Sequence, residues 1–354
     1  MRVLRWFLLS VLGFLFFITL LAFVFGRVAR NDLTKASFYK DTFNSANVYE
    51  RIYTEVLPKV TSAQSFYGGL QLSGDDSAAI LRQVFPPEFI RQQTERDLDN
   101  IEAYLRGRSD DVDLAVDLRP GKAKVPGAVN DYLNKRIDTA PVCTPSQSYD
   151  LGSFQSSLQK GVIPPCVPQG LDRTQLKQLA GPIIAPFVQT SLNKASDVWD
   201  PVAQAAKNDG KSRTEYLAQF EGARNAVKFA TGAGYVLLLV VMLVIIGLVA
   251  LLRWGNRKHV MRAIGAMLFA AALPLLIVAL AFRASAPAQV HDNIMNNGSA
   301  DITAALQLAA DVAQNAVQRV GSTALGLPLV VFIVGVVLFV GSFFVGKGGS
   351  KAKA

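Results

Sequence analysis

The chain has 354 residues, with 36 Lys and Arg against 27 Asp and Glu, and a formal charge of +9 at neutral pH. Such a surplus suggests nucleic-acid binding, but nine of the cations lie in three short pieces beside apolar runs, and the remaining 27 balance the 27 acids. The rest of the molecule is electrically neutral, which removes the nucleic-acid reading.

Four stretches contain no charged residue: 6–26, 233–252, 263–282 and 325–346. At about 1.5 Å rise per residue each is long enough for the ~30 Å hydrocarbon core of a bilayer. The first, "WFLLSVLGFLFFITLLAFVFG", follows Arg2 and Arg5. Its apolar core is too long for a typical secretory h-region, and no small-residue cleavage site precedes Arg27, so an uncleaved signal anchor is expected. Residues 27–232 are long enough for one domain with its own core. In "ANVYERIYTEVLPKV", Val48, Ile52 and Val56 run beside Tyr49, Tyr53 and Leu57, which predicts an amphipathic helix ended by Pro58. In "YGGLQLSGDDSAAILRQVF", Asp75, Asp76 or Ser77 is expected to cap a short helix. Pro87 opens a helix with Phe89, Ile90, Leu98, Ile101 and Leu105 on one face, ended by Gly107. Val112, Leu114, Val116 and Leu118 then alternate with polar or small residues, a half-buried strand pattern stopped by Pro120 and Gly121.

A helix is expected near 127–138. Cys143 and Cys166, the only two cysteines, flank a proline-containing stretch with few helix signals, and an oxidising compartment favours a disulfide between them. Helical segments through 172–208 are expected to break at Pro182, Pro186 and Pro201. After the second apolar run, "LLRWGNRKHVMR" places Arg253, Arg257, Lys258 and Arg262 in a loop, 253–262, without an acid. In the third run, Pro274 is a site for a kink and a small packing gap, and Ala266 and Ala270 permit close helix approach. Residues 283–324 contain a helical stripe (Ile302, Leu306, Ala309, Ala313, Val317, Val320), whose apolar face is expected to dock on the main outer domain. The tail, 347–354, carries Lys347, Lys351 and Lys353.

The cations fix orientation. With residues 1–5, 253–262 and 347–354 in the cytosol, all nine of the surplus charges lie there with no Asp or Glu, the positive-inside pattern. Trp6 and Trp254 fall at the same boundary, where an indole prefers to lie. The expected fold is thus a mainly α membrane protein. It has four transmembrane helices and a mostly helical, minor-β extracytoplasmic domain (27–232) inserted between helices 1 and 2, with a second outer segment at 283–324. Both termini are expected in the cytosol of a plasma-membrane protein.

Candidate chemistry is sparse. The four runs hold no Asp, Glu, Lys, Arg or His, which argues against an ion- or proton-coupled transporter acting alone. Asp110, Asp111, Asp113 and Asp117 invite a calcium site, but the Gly and terminal Glu of an EF-hand loop are missing, and strand alternation explains Asp113 and Asp117. The pairs Ser37–Lys40, Ser157–Lys160 and Ser191–Lys194 match S-x-x-K without its partner motif. His259 and His291, the two histidines, fall on opposite sides of the proposed membrane. Nucleophile-elbow, zinc and nucleotide-binding motifs are absent. Asn297-Gly298-Ser299 fits a glycosylation sequon, relevant only in a eukaryotic secretory pathway. No catalytic residue, cofactor or metal is expected.

The segments "NVYERIYTEVLPKV" and "FPPEFIRQQTERDLDNIEAYLRG", with "VDLAVDL", resemble those of a group of bacterial integral membrane proteins without assigned function, which have a signal anchor and a large outer domain. The resemblance covers about residues 36–143 and rests on VYER-, PPE- and YLRG-type segments. It implies a bacterial envelope protein and offers no catalytic residue. The function expected is non-enzymatic: an accessory, scaffold or sensing protein in the lipid bilayer that binds a protein partner through its outer domain. Two alternatives are a permease-like subunit of FtsX/MacB-like topology working with a separate ATPase, and a membrane-anchored enzyme of unrecognised type.

Overall fold

The computed structural model describes residues 2–60, 70–147, 150–254, 257–296 and 302–344. Helix α1 (Arg2–Val28) runs into a π turn (Ala29–Leu33). The body follows: α2 (Ala36–Ser45), α3 (Val48–Arg51), a second π turn (Ile52–Val56), α4 (Leu57–Val60), α5 (Gly74–Val84) and α6 (Pro87–Leu105). Strand β1 (Val116–Asp117) leads to α7 (Arg119–Thr139), α8 (Leu151–Gln159) and α9 (Arg173–Lys194). Strand β2 (Val198–Trp199) precedes α10 (Pro201–Asn208), α11 (Arg213–Ala218) and α12 (Glu221–Thr231). Three long helices close the chain: α13 (Ala233–Leu252), α14 (Arg257–Asn296) and α15 (Thr303–Gly341).

Four helices are long and apolar enough to cross a bilayer: α1 with its π turn, α13, α14 and α15. They fit a multi-pass membrane protein. Large apolar side chains such as Phe14, Val236, Val278 and Val337 stand exposed on them, a surface that suits lipid and would be costly in water. Inside the bundle, Phe16, Leu20, Ile245, Leu268, Ala272 and Leu275 form a core. The expected close approach at Ala266 and Ala270 is not where the helices meet, because both side chains are exposed. The tight crossing is made by Gly265 of α14 and Gly335 of α15. A Cβ on Gly265 would stand 2.5 Å from the Phe339 nitrogen, and one on Gly335 would stand 2.7 Å from the Phe269 nitrogen. Only glycine lets the two backbones pass at that distance.

Helices α14 and α15 are about twice as long as the apolar runs that predict them. Helix α14 runs through Pro287, which is buried, and the backbone ladder continues beyond the uncharged segments as a paired stalk. The amino-terminal half of α15 then packs against α2, α3 and the second π turn. Arg51 pairs with Asp311 at 2.9 Å and Arg319 with Asp41 at 3.5 Å. The segment thus contacts the helical body, but not through the expected apolar stripe: Ile302 and Ala309 of that stripe are exposed, while Ala304, Leu308 and Ala310 are the buried residues.

The body has a second core, drawn from α5, α7, α8 and α9, with Ile80, Val129, Leu158, Leu176 and Ile184 almost wholly buried. Helix α7 begins at Arg119, ahead of the expected start near 127, and runs through Pro126; four further details of the body differ from the sequence expectations. Pro58 does not end a helix, because the π turn widens the backbone ahead of α4. Ser73, rather than Asp75, Asp76 or Ser77, caps α5, its hydroxyl accepting from the Asp76 amide at 3.2 Å. Helix α9 runs through Pro182 and Pro186, since Leu176, Ala180, Ile184 and Val188 form a continuous buried stripe that holds it in place. The fourth concerns residues 112–118.

There only Val116–Asp117 forms a strand, antiparallel to Val198–Trp199. Side chains replace the rest of the ladder. Arg96 donates to the Ala115 carbonyl at 2.5 Å, Asn100 to the Asp113 carbonyl at 2.7 Å, and Arg213 to the Val112 carbonyl. Backbone acceptors satisfied in this way need no neighbouring strand.

Candidate functional site

Antiparallel packing gathers the described cations of residues 5 and 253–262 at one end of the four-helix bundle. The Arg253 guanidinium lies 5.6 Å from the centre of the Trp6 ring, joining the end of α13 to the start of α1. Arg262, in the first turns of α14, lies 4.4 Å from the centre of the Phe343 ring, just beyond α15. Arg5, Arg257 and Lys258 belong to the same helix ends. Arg2 lies in α1 without a described side chain, and Lys347, Lys351 and Lys353 fall outside the described residues, as does the sequon at 297–299. Among the described residues no carboxylate pairs with Arg253 or Arg262, and the buried Nε of each meets no acceptor.

Beneath these cations a cavity of about 990 Å³ opens between α1, α13 and α14. Its mouth carries Arg253, His259 and Arg262, while Gly13, Ala266, Ala270 and Pro274 line its walls. Nothing lies within 4 Å of where a Gly13 Cβ would project, so the missing side chain leaves open space. Sequence reasoning marks Pro274 for a small gap and Ala266 and Ala270 for helix contact; all three instead line one large hollow. The signal for it was the run of small residues on the α14 face one to three turns after Arg262.

The acidic run has a different task. Asp110 accepts from Arg224 at 2.7 Å and Asp111 from Arg213 at 3.1 Å. Asp113 takes the Ala115 amide at 3.1 Å, and Asp117 forms a two-pronged pair with Arg119 at 2.8 and 2.9 Å. The Arg224 guanidinium also donates to the Ser109 and Tyr104 carbonyls and stacks on the Tyr104 ring. Asp110 and Asp111 fasten α12 and α11 to the loop after α6, while Asp113 and Asp117 serve local contacts. Hydrogen bonds from Arg119 hold the Asp117 carboxyl down to about 2, and Arg224 lowers that of Asp110. The described residues contain no cluster of three or more metal-ligating side chains.

Cys143 and Cys166 are joined, with Cα atoms 4.9 Å apart. The adjoining backbone is paired as well, the Cys143 amide donating to the Val167 carbonyl at 2.8 Å. The loop they close contains α8, a helix not expected from sequence. Asp150 caps it through the Ser153 amide at 2.7 Å, and Phe154 and Leu158 are buried in the body core.

The other chemistry considered from sequence is dispersed. Lys40, one S-x-x-K lysine, is paired with Asp99 at 2.7 Å. His259 and His291 lie on one continuous helix, 32 residues apart by their numbers, a separation of about 48 Å. A smaller hollow of about 400 Å³ between α5 and α7 is lined by Asp76, Gln83, Asp131, Tyr132 and Arg136. Burial and a hydrogen bond to Asp76 push the Tyr132 hydroxyl well above the usual tyrosine range.

Comparison with protein-family models, with curated proteins and with solved structures returns no match.

Proposed function

We propose that the chain is a multi-pass protein of the bacterial plasma membrane whose helical body is an extracytoplasmic domain for binding a partner. In this reading α1 is a signal anchor and the body, between the first and second spans, lies outside. The cationic end of the bundle, with both termini, lies in the cytosol. The role is accessory, scaffolding or sensing rather than catalytic.

The observation that carries the reading is the segregation of charge. Arg5, Arg253, Arg257 and Arg262 collect at one end of a bundle of apolar helices, where anionic lipid and the positive-inside bias both favour them. The neutral body packs at the other end, joined through Arg106, which donates to the Arg30 carbonyl at 3.0 Å. Its surface offers Val198, Trp199 and Phe220, all exposed, and a Trp beside apolar neighbours is the residue type that most often anchors protein interfaces.

A photo-crosslinking residue at Trp199 tests this in intact cells. The expected result is one discrete heteromeric adduct, absent when the crosslinker replaces Lys124 on the exposed side of α7. Hydrolysis of an envelope substrate by the purified full chain, abolished by one substitution, would contradict the reading.

A further inference from the structure

We infer that the cavity at the cationic end of the bundle is a binding site for one anionic phospholipid. Its depth is that of a leaflet. From Arg262 to Pro274 is twelve residues of α14, about 18 Å along the helix, slightly more than half of a ~30 Å hydrocarbon core. From Trp6 to Phe17, the first and last residues of α1 in the cavity lining, the distance is about 16 Å. Charge lies at the membrane-surface end, and the deep part is apolar.

The mouth suits a phosphodiester. Arg253 and Arg262 are each stacked on an aromatic ring, Trp6 and Phe343. Stacking occupies the guanidinium face and, with Nε buried, leaves the terminal N–H groups, which lie in the plane, to donate to phosphate oxygens. Two such groups and His259 line the opening, and among the described residues no acidic side chain does. A bare phosphate would satisfy the mouth but leave the trough beneath it empty. A second helix would fill the trough but bring nothing to neutralise two arginines. An anionic glycerophospholipid does both.

The inference rests on the proposed insertion in a bilayer, although not on its orientation. Full-length protein is purified in detergent and exposed to phosphatidylglycerol or phosphatidylcholine of the same acyl composition. Native mass spectrometry then counts the bound lipid. Retention of phosphatidylglycerol is expected to exceed that of phosphatidylcholine by at least about tenfold, as two charge-assisted contacts allow. In R253Q/R262Q the ratio falls towards one, and in R253K/R262K much of it survives. R257Q/K258Q removes two charges outside the cavity and keeps the ratio. A270F, with every charge intact, lowers phosphatidylglycerol retention by filling the trough, which keeps the test decisive if R253Q/R262Q does not fold. Inorganic phosphate does not displace the lipid. Equal retention of the two lipids, equal loss in R257Q/K258Q, full retention in A270F, or a second chain occupying the site would each overturn the inference. Failure of the chain to sediment with membranes would instead refute the bilayer reading itself.

Discussion

Arg224 shows how much of the body's cohesion passes through single guanidiniums. Its side chain is 11% exposed and serves Asp110, two backbone carbonyls and the Tyr104 ring at once. Removing it takes the Arg224 donor from the Ser109 carbonyl and leaves the Tyr104 carbonyl with only the Gly107 amide, so Arg224→Ala is expected to cost about 1–3 kcal/mol, measured as a lower urea midpoint for the full chain in detergent. The carboxylates held by Arg224 and, separately, by Arg119 respond to acid. Asp110 and Asp117 have lowered carboxyl values in the folded chain, that of Asp117 falling to about 2. Their contribution is complete above the unfolded carboxylate range, near pH 4, and disappears as pH falls through the folded values. The urea midpoint is therefore expected to drop between pH 4 and 2, and D110N/D117N to flatten that part of the profile. An unchanged slope in the variant would show that other groups set the limit. Sequence alone pointed to these aspartates as unusual without identifying their partners. Arg213 and Arg224 lie about a hundred residues downstream, beyond the reach of any local pattern.

The apolar elements were the most legible. A run of twenty uncharged residues has few alternatives to a bilayer helix, and the four runs match four long helices. Boundaries were less legible, and even Pro287 does not end α14. Helices α14 and α15 continue into polar sequence because each added residue extends an existing ladder, and because Asp311 and Arg319 find partners on α2 and α3. Pro58, Pro182 and Pro186 misled because packing held the backbone helical where local preference would have released it. The helix crossing makes a direct test. Gly335→Leu must push its side chain into the α14 backbone, so it is expected to separate the pair and lower the thermal aggregation temperature sharply. Gly326→Ala, in open space on the same helix, should have little effect. The disulfide belongs to this scale too. Opening the loop between residues 143 and 166 frees the unfolded chain, and the Cys143→Ser/Cys166→Ser variant is expected to lose roughly 3 kcal/mol. An unchanged urea midpoint would mean that the paired backbone at Val142 and Val167 suffices.

At the scale of the molecule, two cores sit on one continuous stalk. One is dry and surrounded by exposed apolar residues; the other is enclosed by neutralised charge. Composition already separated them, since nine cations account for the whole net charge and the rest of the chain is balanced. What composition could not disclose is that the cationic ends surround a hollow of leaflet depth. That needs α1, α13 and α14 to meet at residues hundreds of positions apart. The central claim is that the body and the cationic end occupy opposite sides of a membrane. It is tested most directly by labelling single added cysteines with a membrane-impermeant maleimide in spheroplasts, since both native cysteines are bonded. Lys207→Cys in the body should react in intact spheroplasts, and Ala352→Cys in the tail only after lysis. Labelling of both, or of the tail alone, before lysis would contradict the account.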